Sequence, residues 1–415
     1  MLVTTGVQIS PSAHLSPAHG GFRRLGVERL RSGEIVAYAA SFTGPVAGNA
    51  FLAMLTVLAV EWNTTEEAVL LAIPAFMLPF AIIQLFSGAI STTYDRRFTL
   101  SLGLLVYIVG SIGAALSPSL LAFLVTRVVQ GVGYAFVAPV LVPIVFDIAG
   151  KERQGLAMGY LGSTSTAGVT VGPLMGGLFA EYNWRLAFIA IAILASLVLA
   201  AVLVVFRSGS ESPSTRKTPR QYLGRLSSTA RNRNVLLLSA TGFVAFASFV
   251  GVISYLSAHL GSDAVDMSSG EIGFILMFSG LSGVFLSPVA GRLVDRQGAR
   301  CCVVLGFLVA SVATISMQFA GDMLAYVIFL ALLGFGSSFV WSALLTMLMR
   351  AAPSAKDECS SIFNSARFMG YAISPVLVAP VYLGYGFESV VVVCGLFYLL
   401  CALLALATSK ALDRG

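Results

Sequence analysis

Arg127 and Arg367 stand inside long apolar runs, where a charged side chain is costly and marks a polar interior. If each run crosses a bilayer as a helix, Arg127 lies nine residues beyond Pro118, roughly 13 Å deep, at about 1.5 Å per residue. Arg367, counted from Cys359, lies about 12 Å in from the opposite face. A structural role suits such groups, donating to carbonyls or to a near amide: Gln130 for Arg127, and Asn364, on the same face one turn earlier, for Arg367. All 19 Asp and Glu residues fall in tails, loops or span ends. With no carboxylate at mid-depth, neutral or anionic amphipathic ligands are favoured over polycations, and any proton coupling falls to Asp147, Glu34, His259 or Glu271. Other chemistry lacks its residues. The phosphate loop GxxxxGK[ST] is absent, the three histidines (His14, His19, His259) do not cluster, and no nucleophilic constellation appears. No enzyme activity, cofactor or metal is expected, so work must come from ion or substrate gradients, one charge crossing about 100 mV being worth about 2.3 kcal/mol.

The elements that hold these residues are membrane spans. The 415 residues are 57% hydrophobic and 11% charged, with a mean hydropathy of +0.89, whereas soluble domains carry about 25% charged residues. At about 20 apolar residues per crossing, twelve segments qualify: 33–59, 66–90, 99–117, 119–146, 153–180, 185–206, 233–259, 270–291, 300–319, 323–349, 359–383 and 388–408. Lys and Arg gather at one set of span ends, apart from Arg185 on the other side and the two arginines within spans. That asymmetry, rather than nucleic-acid binding, accounts for the net charge of +6 and puts both termini in the cytoplasm of a cell-membrane protein. The opposite connections are short and acidic: Glu61, Glu66, Glu67, Glu181, Asp263, Asp266, Glu271, Asp322 and Glu388. The five cysteines lie in or beside apolar segments and suggest no disulfide framework. Residues 1–32 read as a cytoplasmic tail whose Arg23, Arg24, Arg29 and Arg31 either lie on the bilayer surface as a short helix or are solvated.

Residues 207–232, rich in Ser, Pro and basic side chains, divide the spans six and six. The expected organisation is a first bundle (33–206), a flexible cytoplasmic linker held at anionic lipid (207–232), a second bundle (233–409) and a cytoplasmic end (410–415). The halves repeat. Segment 88–100 aligns with 291–303 at an offset of 203, as does 128–136 with 331–339, and 168–173 meets 370–375 at one residue less. Duplicated units of this kind place a substrate site between them near the midplane. Span five adds a run of small residues, Gly159, Gly168, Gly172, Pro173, Gly176 and Gly177, with 168, 172 and 176 on one face. Such a seam is either a tight helix contact or the surface across which the bundles slide.

At this point the sequence resembles the major facilitator superfamily, and within it the twelve-span drug:proton antiporters. GRLVDRQGAR from Gly291 to Arg300 is similar to the superfamily's loop between spans eight and nine, Arg127-Val-Val-Gln130-Gly131-Val-Gly133 resembles its fourth-span motif, and Gly159 to Gly177 resembles its antiporter motif. The resemblance covers nearly all of the chain after residue 32. It implies an all-α fold of two pseudo-symmetric six-helix bundles, a role for Arg127 in proton relay or substrate contact, and a conformational latch at Gly88, Asp95, Arg96, Arg97 and Asp147 in the first half and Gly291, Asp295, Arg296 and Arg300 in the second. The same charges would otherwise only fix topology. Thr92 departs from the pattern where the first-half loop usually has an acid, which shifts weight onto Asp147.

The walls of the expected cavity, mainly spans one, four, seven and ten, offer Asn49, Gln84, Arg127, Gln130, Tyr134, Phe243, Phe246, Tyr255, Phe335, Phe339, Trp341, Asn364 and Arg367. Aromatic faces with a few amides suit a bulky amphipathic ligand. The expected protein is a monomeric secondary transporter exporting small amphipathic molecules by alternating access in exchange for protons. Its rivals are a carrier of one organic anion, such as a metallophore or metabolite, and a receptor that does not transport.

Overall fold

A computed structural model describes residues 18–87, 89–90, 95–149, 153–206 and 219–408, without the side chains of 18–31, 155, 219–220, 287–288, 291 and 295. Secondary structure among the described residues is helical. Ten helices are long and apolar enough to cross a membrane. Two further crossings are hidden from that count. Gln154–Ala180 spans 27 residues but is diluted by glycine and hydroxyl side chains. Lys356–Leu406 is one helix of 51 residues by its hydrogen bonding, about 77 Å if straight and far beyond a bilayer. It folds back at Gly386, whose φ of 78° and ψ of −179° belong to a region essentially reserved for glycine. The return is evident on span seven. Gly370 packs on the Phe243 carbonyl while Cys401, thirty-one residues on, donates to the carbonyl of Thr241.

Local sequence explains the remaining breaks. Span one begins earlier than expected, as a helix from Ala18 through Ala50, then tightens into a 3-10 turn at Phe51–Met54 before Leu55–Glu61. Span two is Glu66–Leu70 followed by Ala72–Gln84, and Pro74 near the start of the second piece cannot donate to the turn before it. Helix starts are capped by side chains: Asp95 for span three, Asn232 for span seven, Asp322 for span ten, and a reciprocal Ser268–Glu271 box for span eight. Proline within a helix frees the carbonyl four residues earlier, and the Ser41 carbonyl released by Pro45 accepts from Tyr134 Oη at 3.1 Å.

The internal repeat is present in the packing itself. In the first bundle Gly103 meets the Gly133 carbonyl and Val137; in the second, Gly306 meets the Gly336 carbonyl and Val340, every member displaced by 203. Arg97 donates to the Leu203 carbonyl and Arg300 to that of Leu406, again 203 apart. Gly168 sits on the carbonyl of Phe42 as Gly370 sits on that of Phe243. Equivalent side chains thus make equivalent contacts in both six-helix bundles. The linker contributes a helix of its own, Pro219–Ala230, against the second bundle.

Candidate functional site

The bundles meet along two seams. Spans two and eleven run antiparallel. Ser87 and Ser361 hydroxyls pair at 2.8 Å, Ser365 donates to the Ala81 carbonyl at 2.8 Å, and the rings of Phe80 and Phe368 meet edge to face at 4.6 Å. This register sets Gln84 level with Asn364, one turn from Arg367. The second seam joins spans five and eight, where Thr166, Thr170, Pro173 and Gly177 face Gly283, Gly280, Gly273 and Ser269. Between the seams Tyr371 Oη donates to Asn49 Oδ1 at 2.9 Å, and at the end away from the linker Ser257 donates to the Leu52 carbonyl and the Gly270 amide to Glu181 at 3.0 Å.

The expected sliding face of span five is corrected by these contacts. Gly168, Gly172 and Gly176 lie against the carbonyls of Phe42, Val46 and Ala50 of span one, inside their own bundle. Of the predicted seam only Pro173 and Gly177 face the other bundle. The glycines that allow close approach there belong to span eight, Gly270, Gly273, Gly280 and Gly283. Their spacing was visible in the sequence but was not singled out, because a small-residue face does not say which helix it meets.

Arg127 is wholly buried in the first bundle. It donates to the Ala47 carbonyl at 3.0 Å, to Gln130 Oε1 at 2.8 Å and, more distantly, to the Ala72 carbonyl at 3.5 Å; Phe51 and Phe76 cover its faces at 5.1 and 4.6 Å. Gln130 passes the network on to Ser111 at 2.8 Å. Tyr134 stacks on Phe80 at 5.5 Å, which ties this network to the boundary.

Arg367 is held differently. Its guanidinium carbon lies 3.9 Å from the ring centre of Trp341, 4.1 Å from that of Phe368 and 4.7 Å from that of Phe246. Among the described residues it makes no hydrogen bond or ion pair, and its Nε is buried without a partner. The Gln84 amide oxygen is likewise buried and unpartnered, and Asn364 makes no hydrogen bond among the described residues. Phe368 and, edge to face with it, Phe80 complete this cluster, while Tyr371, one turn beyond Arg367, turns to Asn49. Phe246 and Trp341 belong to the cluster. Half-buried Phe243 lends only its backbone, to Gly370. Tyr255 instead bonds the Pro375 carbonyl at 2.7 Å beside Tyr382, while Phe335 and Phe339 pack on each other at 4.8 Å.

Of the predicted latch residues, Arg96, Arg97, Asp147 and Arg300 make bonds within their own bundles at the linker end. Arg96 pairs with Asp147 at 2.6 Å, and Asp95 caps its helix by accepting from the Phe98 amide. Arg296 is exposed. Gly88 lies outside the described residues, as do the side chains at Gly291 and Asp295. Beside the Ser87–Ser361 pair, the linker helix itself bridges the two bundles there, a contact that no sequence motif signals. Tyr222 of the linker helix is buried and donates to Ser361 Oγ at 2.9 Å and to the Leu85 carbonyl at 3.2 Å. Of the proton-coupling candidates, Glu34 lies 3.6 Å from Arg153, His259 stacks on Phe387 at 4.7 Å and Glu271 is spent on its capping box.

Comparison with known proteins follows the same lines. The profile described as Major Facilitator Superfamily matches residues 36–266 and 253–413. Among curated proteins the chain is 24% identical to an uncharacterized MFS-type transporter of Methanocaldococcus jannaschii, over 84% of this chain and 90% of that one. It is 25% identical to the multidrug efflux protein YfmO of Bacillus subtilis, over 78% and 79% respectively. The crystal structure of the human organic anion transporter MFSD10 (TETRAN) superposes with a TM-score of 0.70 at 19% identity, covering 91% of this chain and 99% of that one. With its duplicated bundles and this match over most of its length, the chain belongs to the Major Facilitator Superfamily: it is a multi-pass membrane transporter.

Proposed function

We propose that the protein is a monomeric secondary transporter in the cell membrane, both termini cytoplasmic, that exports small amphipathic organic molecules in exchange for protons. The observation that carries this reading is the boundary between the bundles, where rings from both halves surround polar groups left without protein partners. Phe80 of the first bundle meets Phe368 of the second, beside Arg367, Asn364 and Gln84. An interior polar group without a partner costs about 1–3 kcal/mol, and a ligand that supplies the partner recovers that cost. Alternation follows from the two kinds of seam. Hydroxyl and amide bonds at each end are few enough to exchange, while the glycines of span eight let the bundles pivot on span five at close range.

The name of the Bacillus relative, a multidrug efflux protein, agrees with export of varied compounds. A carrier dedicated to one organic anion is the second reading, favoured by a cation at the boundary with no ion-pair partner among the described residues. Counterflow in proteoliposomes, with chemically diverse tracers and a lumenal pH indicator, tests both. Saturable counterflow is expected, together with lumenal acidification as tracer leaves down its gradient. Binding with no counterflow for any tracer would leave a receptor and sink the proposal.

A further inference from the structure

The two arginines that look alike in the sequence have opposite situations. Arg127 is sealed: one terminal nitrogen bonds the Ala47 carbonyl and Gln130, the other is buried without a partner among the described residues, and with no exposed surface a ligand would have to break into closed packing to reach it. Arg367 is half-buried, and its donors have no acceptor among the described residues. The rings of Phe246, Trp341 and Phe368 hold its position through their faces. Those faces would otherwise recognise an organic cation; here a protein cation occupies them. A guanidinium fixed in place but short of acceptors is matched by the planar, bidentate acceptor pair of a carboxylate or by a sulfonate. By register Asn364 and Gln84 bring two amides, unpartnered among the described residues, to the same level, and no described carboxylate pairs with Arg367.

We infer that Arg367 is the binding subsite for the anionic head of an amphipathic organic anion, with the rings that surround it taking the first part of the apolar body, and that Arg127 is not a ligand of the substrate. The inference rests on the reading of this boundary as the transport site. It goes further by assigning the sign of the preferred substrate to one residue. A ligand whose head is neutral or cationic forgoes the charge-assisted bonds and meets rings that are already covered.

The chain offers its own reporter. Of its three tryptophans, Trp62 and Trp184 pack against each other at 5.4 Å, whereas Trp341 lies on Arg367. In the full-length protein carrying Trp62→Phe and Trp184→Phe, the emission of Trp341 is titrated with octanesulfonate and with octyltrimethylammonium, neither of which absorbs in its range. Octanesulfonate is expected to bind saturably, at least tenfold more tightly than the ammonium. Arg367→Met should weaken the sulfonate ten- to a hundredfold, the value of bonds to a charged group, and should strengthen the ammonium by freeing the rings. Arg367→Lys keeps a charge but loses the fork, so it should preserve the order with weaker sulfonate binding. Equal affinities for the two compounds in the parent protein, or sulfonate binding unchanged in folded Arg367→Met, overturns the inference. If Arg367→Met fails to fold, the order in the parent and in Arg367→Lys decides. Sulfonate-selective binding without counterflow of labelled octanesulfonate would leave the anion subsite standing and count against the transport reading alone.

Discussion

Replacing single glycines on spans five and eight separates what holds a bundle together from what lets the bundles move. A β-carbon built at Gly176 comes within 2 Å of the Ala50 carbonyl inside the first bundle, and one built at Gly273 lies 2.4 Å from the Pro173 carbonyl across the boundary. A comfortable carbon–oxygen approach is about 3.3 Å, so Gly273→Ala must push the helices apart by about 0.9 Å and Gly176→Ala by more. Overpacking of this kind costs about 1–3 kcal/mol. For Gly176→Ala no rigid-body motion escapes the clash, so the cost falls on the folded state and lowers thermal stability. For Gly273→Ala the bundles can part at the end away from the linker, so the cost falls on that closed arrangement alone. A penalty of about 1–3 kcal/mol shifts the equilibrium by about 5- to 150-fold toward opening there. Spin labels at Tyr182→Cys and Asp263→Cys, exposed positions on the two bundles at that end, report the separation once exposed Cys301 is replaced; the other four cysteines are buried. A longer distance in Gly273→Ala with an unchanged melting temperature is expected. If Gly273→Ala instead melts early with no change in distance, the seam between spans five and eight is static packing and the pivot reading fails.

Other perturbations probe single contacts. Tyr222→Phe removes the hydroxyl that joins the linker helix to Leu85 and Ser361; at about 0.5–1.5 kcal/mol net for such bonding, alkylation of a cysteine placed at Ser87 should speed by about two- to tenfold. Arg127→Leu strands Gln130 and two carbonyls in the interior, and unfolding in detergent should show a loss of about 2–5 kcal/mol, whereas a stable variant that merely loses ligand binding would reassign Arg127 to the substrate. Gly386→Ala meets no neighbouring atom but retains a backbone conformation that alanine resists, so it should cost about 1–3 kcal/mol; Gly384→Ala, equally open and without positive φ, should cost little by the same melt.

Twelve crossings, their division six and six and the offset of 203 were legible because apolar length and a duplicated pattern are one-dimensional signals. The packing then repeats the offset contact by contact, as Gly103 with Gly133 and Gly306 with Gly336 show. What the sequence concealed was which helix each face meets. Residues 168, 172 and 176 were correctly placed on one face, yet periodicity is silent about whether span one or span eight lies opposite. The two arginines pose the same difficulty for charge. Depth along a helix was readable for both, but whether a guanidinium finds carbonyls, as Arg127 does, or only ring faces, as Arg367 does, depends on breaks and registers in other helices.

The two faces of span five and the two arginines reflect one division of labour. Each bundle is closed internally by backbone approach at glycine and by buried polar networks such as Arg127–Gln130–Ser111, whose bonds must break before the packing can change. Their common boundary joins close glycine contacts of spans five and eight to a few hydroxyl pairs, ring edges and, beside Arg367, polar groups without partners among the described residues. A ligand that completes those groups stabilises whichever arrangement encloses it by its differential affinity and no more. Unmatched groups gathered at a boundary between rigid halves are therefore what alternating access needs, and the same groups buried within either bundle would only weaken its fold.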